Sequence, residues 1–478
     1  MVTLFLLPLP FWLALATMVG CGLWAWNEQH HGIGYPVLMI LGTIGVWYIG
    51  DVFYNDYAHN HAVVFSPEIL GTAWWQVTLF VVSMTCSAAL IHRKWNRAYL
   101  QNGSWIHRAI MMGKLPDGFQ RGIASIWFAT SMLWLILVVA AIMKLGDEAW
   151  YYFFPFIGAK RDPWGRAQIG GGWSAVLSLA HYSEVLVGAL LGVVWALDRR
   201  RPIRWIAGIQ CILAWFPIVF DRTRKNMIAV LLPAMLCWTL VRLRVPLVWK
   251  FCVIVFLFAC LNAWFLIIIS QREGMRIDFA ELRSGNVHTS EETRHEGLNM
   301  YEELCWINSY LREGTLHAGW GTNYFANLVN PIPRAIWPGK PLIGLDYAAA
   351  RGEQLTDAGS ASTVSHGIVG QGVVNFGLLG GPAVAGLLMG VWACALARLD
   401  LRGAEIGRLP LYVIGITITF EFGRDITMLT LYPYLFGFGV VWLVQRWKMR
   451  NPARKAGRRR MRRAVAPRPE QRDDPNCV

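Results

Sequence analysis

Long apolar runs alternate with short polar connections along this chain, and that alternation predicts its architecture. A membrane-crossing helix needs about 20 mostly apolar residues. Segments 4–26, 33–54, 69–91, 123–145, 173–197, 203–220, 226–243 and 246–270 suit that role with few charges. Residues 271–366 then turn polar and rich in Gly and Pro, far too long for an idle connector. Apolar character returns over 367–397, read as one span with a loosened start. It continues over 409–447, where Glu421, Arg424 and Asp425 divide the run into two spans. The expected fold class is an all-α polytopic integral membrane protein with about eleven transmembrane helices and one large late loop. Four regions follow: a transmembrane bundle of about eight helices over 1–270, the loop 271–366, the C-terminal helices 367–447, and a basic tail 448–478 expected to be disordered. No internal repeat is visible.

Basic residues set the orientation. Connection 92–122 carries Arg93, Lys94, Arg97, Arg108, Lys114 and Arg121. Later basic connections hold Arg199, Arg200, Arg201 and Arg204, then Arg242 and Arg244, then Arg398, Arg402 and Arg408. Every second connection is basic, which places these in the cytoplasm, the N-terminus and the late loop outside, and the C-terminus inside. Loop 55–68, with no Lys or Arg, fits an outside position. The first segment lacks a basic n-region and a small-residue cleavage site, so it reads as a retained span.

Composition sharpens this picture. The chain is 55% apolar and 15% charged, with 25 Trp and 23 Phe, whereas soluble domains carry about 25% charged residues. Mean hydropathy is +0.38. The net charge of +14 suggests nucleic acid until it is located: twelve of the 44 basic residues lie in the last 33 positions, from Arg446 to Arg472. Such a run beside an apolar segment is an anchor for anionic lipid headgroups, or else a partner-binding tail. Membrane lipids, and no nucleic acid, are the expected partners. Most of the nine cysteines sit inside apolar runs, with no CxxC spacing and no disulfide framework.

Candidate chemistry lies where the simple pattern is broken. The turn 221–226 is expected outside yet holds Arg222, Arg224 and Lys225; Arg272 and Arg276 follow the span ending near Ser270; Arg334 and Lys340 lie in the late loop; Arg424 falls between two apolar half-segments. An Arg near the bilayer centre costs at least about 2.5–3.5 kcal/mol. Arg222 and Arg224 have a bland alternative in snorkelling to headgroups, and Arg424 in pairing with Glu421 or Asp425. Together, though, four regions deliver guanidinium groups to one face, and Arg suits bidentate phosphate binding. A lipid diphosphate fits them. His181 and Glu184 share a helix face, as a site or as a packing pair. His30, His31, His59 and His61 read as solvated loop residues without metal-ligand spacing.

The late loop is the most specific segment. Within 291–316, Leu298, Tyr301, Glu302, Cys305, Trp306 and Ser309 recur at helical spacing, predicting a helix lying on the membrane surface. Pro331, Pro333, Pro338 and Pro341 enforce a stiff path that fixes Arg334, Trp337 and Lys340. Two cations and an indole suit a phosphosugar; a structural plug is the alternative. Ser365, His366, Gly367, Gly370, Gln371, Asn375, Phe376 and Gly377 then lead back into the membrane.

The run 333–341 (PRAIWPGKP), followed by His366–Gln371 and Asn375–Gly377, resembles the O-antigen repeat-unit polymerase (Wzy-type) family, mainly over residues 320–380. Gln371 departs from the Glu expected after that Gly. The resemblance implies a GT-C-like, inverting-type glycosyltransferase of the bacterial inner membrane. It would join oligosaccharide repeat units carried on undecaprenyl diphosphate at the periplasmic face, for O-antigen, capsule or exopolysaccharide. A chain-length regulator protein is an implied partner. Arg272, Arg276 and Arg334 would clamp the diphosphate, with Arg222, Arg224, Lys340 and Arg424 in support. His366, Glu303 and Asp346 are candidates for a general base, and the sequence does not choose among them. No DxD-like pair stands out, so metal independence and no cofactor are expected. The rival readings are an O-antigen ligase, a lipid-linked sugar transporter or flippase, and a non-enzymatic scaffold.

Overall fold

The computed structural model describes residues 7–112 apart from 56, 123–154, 163–164, 174–241 apart from 199 and 220–223, 245–270, 299–341, 344–352, 355–356, 359–360, and 365–450 apart from 404 and 406. Helices α1 (Leu9–Asn27), α2 (Gly34–Ile44, continued through a π turn Gly45–Ile49 into Gly50–Tyr54) and α3 (Pro67–Trp95) open the chain. Then come α4 (Ile123–Leu145), α5 (Ser174–Leu197), α6 (Arg201–Val219), α7 (Arg224–Val241) and α8 (Leu247–Ser270). The late region holds α9 (Met300–Glu313), α10 (Thr322–Val329), α11 (Leu345–Ala350) and a two-residue antiparallel pair, Leu355–Thr356 with Gly359–Ser360. The chain closes with α12 (Gly367–Leu401), α13 (Arg408–Phe422) and α14 (Met428–Arg450). Local signals explain the boundaries: α3 starts with Ser66 accepting from the Ile69 amide, Pro67 and Glu68, and ends with His92, Arg93 and Lys94, which match the helix dipole at both ends.

Among the described residues seven helices are long and apolar enough to cross a membrane: Leu9–Asn27, Gly34–Tyr54, Pro67–Trp95, Ile126–Phe153, Val176–Leu197, Arg201–Val219 and Gly367–Leu401. The other four expected spans are helical where predicted, as α7, α8, α13 and α14, but the described apolar stretches of α7, α8 and α14 are shorter and α13 has 15 residues.

Helix α12 is not the single rod expected. Phe376 (φ −129°, ψ 16°) and Gly377 (φ +76°, ψ −175°) break it, and the left-handed φ explains glycine at the break. The chain then doubles back. A Cβ on Gly372 would lie 2.3 Å from the Gly381 carbonyl oxygen and 2.9 Å from the Ala385 side chain, although residues nine apart in a straight helix are separated by about 13.5 Å. The loosened start of the predicted span is thus a separate half-helix, 367–375, folded against 378–401. The longer half packs on α3, where a Cβ on Gly390 would strike Ser87 Oγ at 2.0 Å and Met84 O at 2.8 Å.

Side-chain contacts sort the helix ends. At one end, Trp47 of α2 donates to Phe420 O of α13 at 3.1 Å, and Gln76 of α3 exchanges amide hydrogen bonds with Asn308 of α9 at 2.8 and 2.9 Å. At the other, the Ser104 amide donates to His30 O, the Ile106 amide to Asp400 Oδ1, and the Arg398 guanidinium lies over Trp95 and Tyr99. The connections around 28–33, 96–106 and 398–408 therefore gather at the end opposite the contacts of the late loop.

Two expectations change here. Helix α9 forms inside the predicted window but does not lie free on a surface. Tyr301, Leu304, Cys305, Ile307 and Asn308 are buried, with Tyr301 stacked on Trp74 at 4.4 Å. Its first amides are capped from 250 residues away, since Asp51 Oδ2 accepts from Tyr301 N at 2.8 Å and Glu302 N at 3.0 Å. His61 is likewise not solvated. It is buried, 3.5 Å from Asp51 Oδ1.

Enlarging Gly381 should unlock the folded-back helix. We expect Gly381→Val to cost about 1–3 kcal/mol by overpacking, read as a lower unfolding temperature of detergent-purified protein. Gly42→Ala, with open space around it, should leave that temperature unchanged or raised.

Candidate functional site

The break of the 409–447 run and the start of α12 meet at His366. Asp425 Oδ1 lies 3.2 Å from His366 Nδ1 and also accepts the His366 backbone N–H at 3.2 Å. An ionised carboxylate can only accept, which assigns the proton to Nδ1 and leaves Nε2 as the lone-pair nitrogen. Among the described residues Nε2 is buried with no hydrogen-bond partner. Gly344 (φ +67°) passes over the ring, where a Cβ would lie 3.1 Å from Cε1, and the Tyr347 ring lies 4.8 Å away. The pairing is fixed from below, since Gln371 accepts from the Ile426 amide at 2.9 Å and donates to its carbonyl at 3.2 Å. Gln371 here ties α12 to the 425–427 turn as an amide with both a donor and an acceptor.

Behind Tyr347 sits Glu303, 2% exposed. The Tyr347 hydroxyl and Asn299 donate to it, and Arg351 pairs with it at 3.3 Å while lying over Trp306 at 4.9 Å. Burial pushes the Glu303 carboxyl above its ordinary range, against the opposing pull of Arg351 and Tyr347. Burial also raises the Tyr347 phenol. Two of the three proposed bases, His366 and Glu303, are thus brought to either side of one tyrosine; Asp346 is exposed on α11.

Arg424 completes the cluster. It donates to Ser365 Oγ at 3.0 Å and lies over the Trp47 ring at 5.9 Å, and its Nε is buried without a partner among the described residues. Asp425, one expected counter-ion, is engaged by His366, and among the described residues Arg424 makes no ion pair. A half-buried guanidinium in that state has donors to spare for an anion.

The proline-stiffened segment is arranged differently from the expected grip. Arg334 donates to Pro338 O at 2.8 Å and Lys340 O at 2.6 Å; the buried Lys340 ammonium donates to Asn330 O, Ile332 O and Asn330 Oδ1 at 2.7, 2.9 and 3.4 Å. Much of the hydrogen-bonding capacity counted on for phosphate is spent inside the loop. Four prolines remove amide donors, and the two cations answer the carbonyls left over. Burial, then the nearby Arg334 charge, lowers the Lys340 pKa. Trp337 is partly exposed and edges onto Phe325.

Arg222, Arg272 and Arg276 lie outside the described residues, as does the side chain of Arg224, which begins α7. His181 and Glu184 engage different neighbours, Asn226 at 2.9 Å and Trp164 at 3.0 Å. Sequence reasoning missed Asp425 as the partner of His366, and missed Tyr347, Arg351 and Trp47. The charged break at 421–425 was the available signal for Asp425; Tyr347 and Arg351 lie 44 and 48 positions from Glu303, Trp47 lies farther still from Arg424, and none of the three had one. Comparisons with family models, curated proteins and solved structures find no match for this chain.

Two outcomes follow from this geometry. Lys340→Met leaves buried carbonyls without a donor and should cost about 1–3 kcal/mol, read as faster amide hydrogen exchange over 330–341. The raised Glu303 pKa favours the folded state in acid, and that contribution is lost as pH rises from about 4.3 through the higher native value. Unfolding temperature should therefore fall less over that window in Glu303→Gln than in wild type.

Proposed function

We propose that the chain is an inverting glycosyltransferase that polymerises oligosaccharide repeat units carried on undecaprenyl diphosphate. The late loop then lies on the periplasmic face of a bacterial inner membrane, with eleven crossings and a cytoplasmic C-terminus. The carrying observation is Arg424, an arginine that makes no ion pair among the described residues, beside an oriented His–Asp pair. The sequence resemblance in 320–380 supports the same reading.

In this reaction the hydroxyl oxygen of one lipid-linked unit attacks the anomeric carbon of the growing chain. The new C–O bond forms as the bond to the diphosphate breaks, and the bonding pair leaves with the diphosphate. His366 Nε2 takes the hydroxyl proton, and Asp425 stabilises the imidazolium that results. Arg424 meets the charge that grows on the departing diphosphate, where a fixed donor acts most strongly in the transition state. Nε2 is covered by the segment bearing Gly344 and Tyr347, so acceptor binding must displace α11. Arg334 and Lys340 act by holding the loop in shape.

Glycan length in a deletion strain carrying each variant tests this. Arg424→Ala should lower polymerisation by about 10²–10³, or 2.7–4 kcal/mol, leaving single-unit glycan attached to its acceptor at normal protein abundance. His366→Ala should do likewise. Loss of all attached glycan would instead mean ligase or flippase chemistry, and unchanged long polymer would remove Arg424 from the site.

A further inference from the structure

Helix α10 is amphipathic the wrong way round for a helix in water. Its buried face carries Asn323, Ala326, Asn327 and Val329, with Asn323 at 7% and Asn327 at 3% exposure. Asn323 is engaged inward: its backbone N–H donates to Asn375 Oδ1 at 3.1 Å and its Oδ1 accepts from Gly344 N at 3.1 Å, while the Asn327 side-chain amide donates to Asn323 O at 3.0 Å within the helix. The outward stripe is apolar, with Phe325 and Leu328 followed by Ile332, Ile336 and Trp337, of which Ile336 is 71% exposed. Water would oppose such an arrangement, while hydrocarbon favours it, because polar groups must be satisfied internally and apolar ones face the solvent.

Three further observations say what covers the stripe. Tyr432 of α14 donates to Leu328 O at 2.6 Å, which joins the stripe to a helix whose own outward residues, Leu435, Phe436 and Leu443, form a shorter apolar span. Residues 320–341 contain no Asp or Glu, so no carboxylate in this stretch repels anionic headgroups. Trp320 adopts φ +47°, the one positive φ outside glycine among the described residues, with its indole 84% exposed. Its neighbours are tied to the tip of the α12 half-helix through Gly319 N to Val374 O and Gly321 N to Asn375 O. The left-handed conformation costs about 1–2 kcal/mol, and it turns outward a side chain characteristic of membrane interfaces.

We infer that residues 320–337 form an interfacial anchor whose apolar stripe sits in the bilayer leaflet on the late-loop side, covered by phospholipid chains. This holds whatever reaction the chain performs. The test uses the full-length protein in phosphatidylethanolamine–phosphatidylglycerol vesicles, with a benzophenone amino acid replacing Ile336, Leu328 or, as the lipid-facing reference, Leu435. After irradiation, intact mass should show single-phospholipid adducts at 336 and 328 in yield comparable to 435. Absence of lipid adducts at 336 and 328 while 435 gives them would overturn the inference. So would cross-linking of position 336 to a second copy of the chain in place of lipid.

Discussion

Between α3 and the longer half of α12 the two backbones touch. A Cβ on Gly386 would lie 2.5 Å from Phe80 O, and one on Gly390 2.8 Å from Met84 O, while Ser83 donates across the seam to Ala383 O at 2.7 Å. Lipid tails are as apolar as leucine, so no hydrophobic drive joins helices within a bilayer. Small residues that admit close van der Waals contact, and hydrogen bonds across the seam, take its place. Because this seam fixes 378–401, it also fixes where the half-helix 367–375 folds back, and therefore where His366 sits.

Several polar groups near the late-loop end are used by partners brought from another part of the chain. Gln76 finds Asn308, Asp51 finds the first amides of α9, and Asn375 finds α10. Buried polar groups are tolerated only when bonded, so each pair also specifies register. Arg424 Nε and His366 Nε2 are among the buried nitrogens without hydrogen-bond partners in the described residues, as are those of His61 and Trp74, and the first two lie on residues that share the 365–366 and 424–425 contact.

Much of the helical layout was legible in the chain. The runs 33–54, 123–145 and 173–197 match Gly34–Tyr54, Ile123–Leu145 and Ser174–Leu197 almost residue for residue, because twenty apolar residues in a row have few other fates. The fold-back at Phe376–Gly377 was not legible. Glycines at 372, 377 and 381 announce flexibility or close approach without saying which. Local sequence also hid the roles of Arg334 and Lys340. Proline spacing showed a stiff path, but whether its cations face outward or answer the path's own carbonyls depends on three-dimensional closure. Asp425 was visible as a charge, yet its partner lies 59 positions away, beyond the reach of any periodicity.

The cap that Asp51 places on α9 has a consequence for how the protein is made. At a synthesis rate of about 5–20 residues per second, the 250 residues between them take roughly 10–50 s to emerge. Throughout that interval the carboxylate has Asn55 and His61 beside it but not the α9 amides it caps, and the end of the first helical hairpin is unfinished. Once Met300 arrives, the late region docks on elements inserted long before, and Glu303 and Tyr347 come into register with His366. Assembly of the cluster around His366 is thereby made conditional on correct insertion of both the earliest and the latest helices.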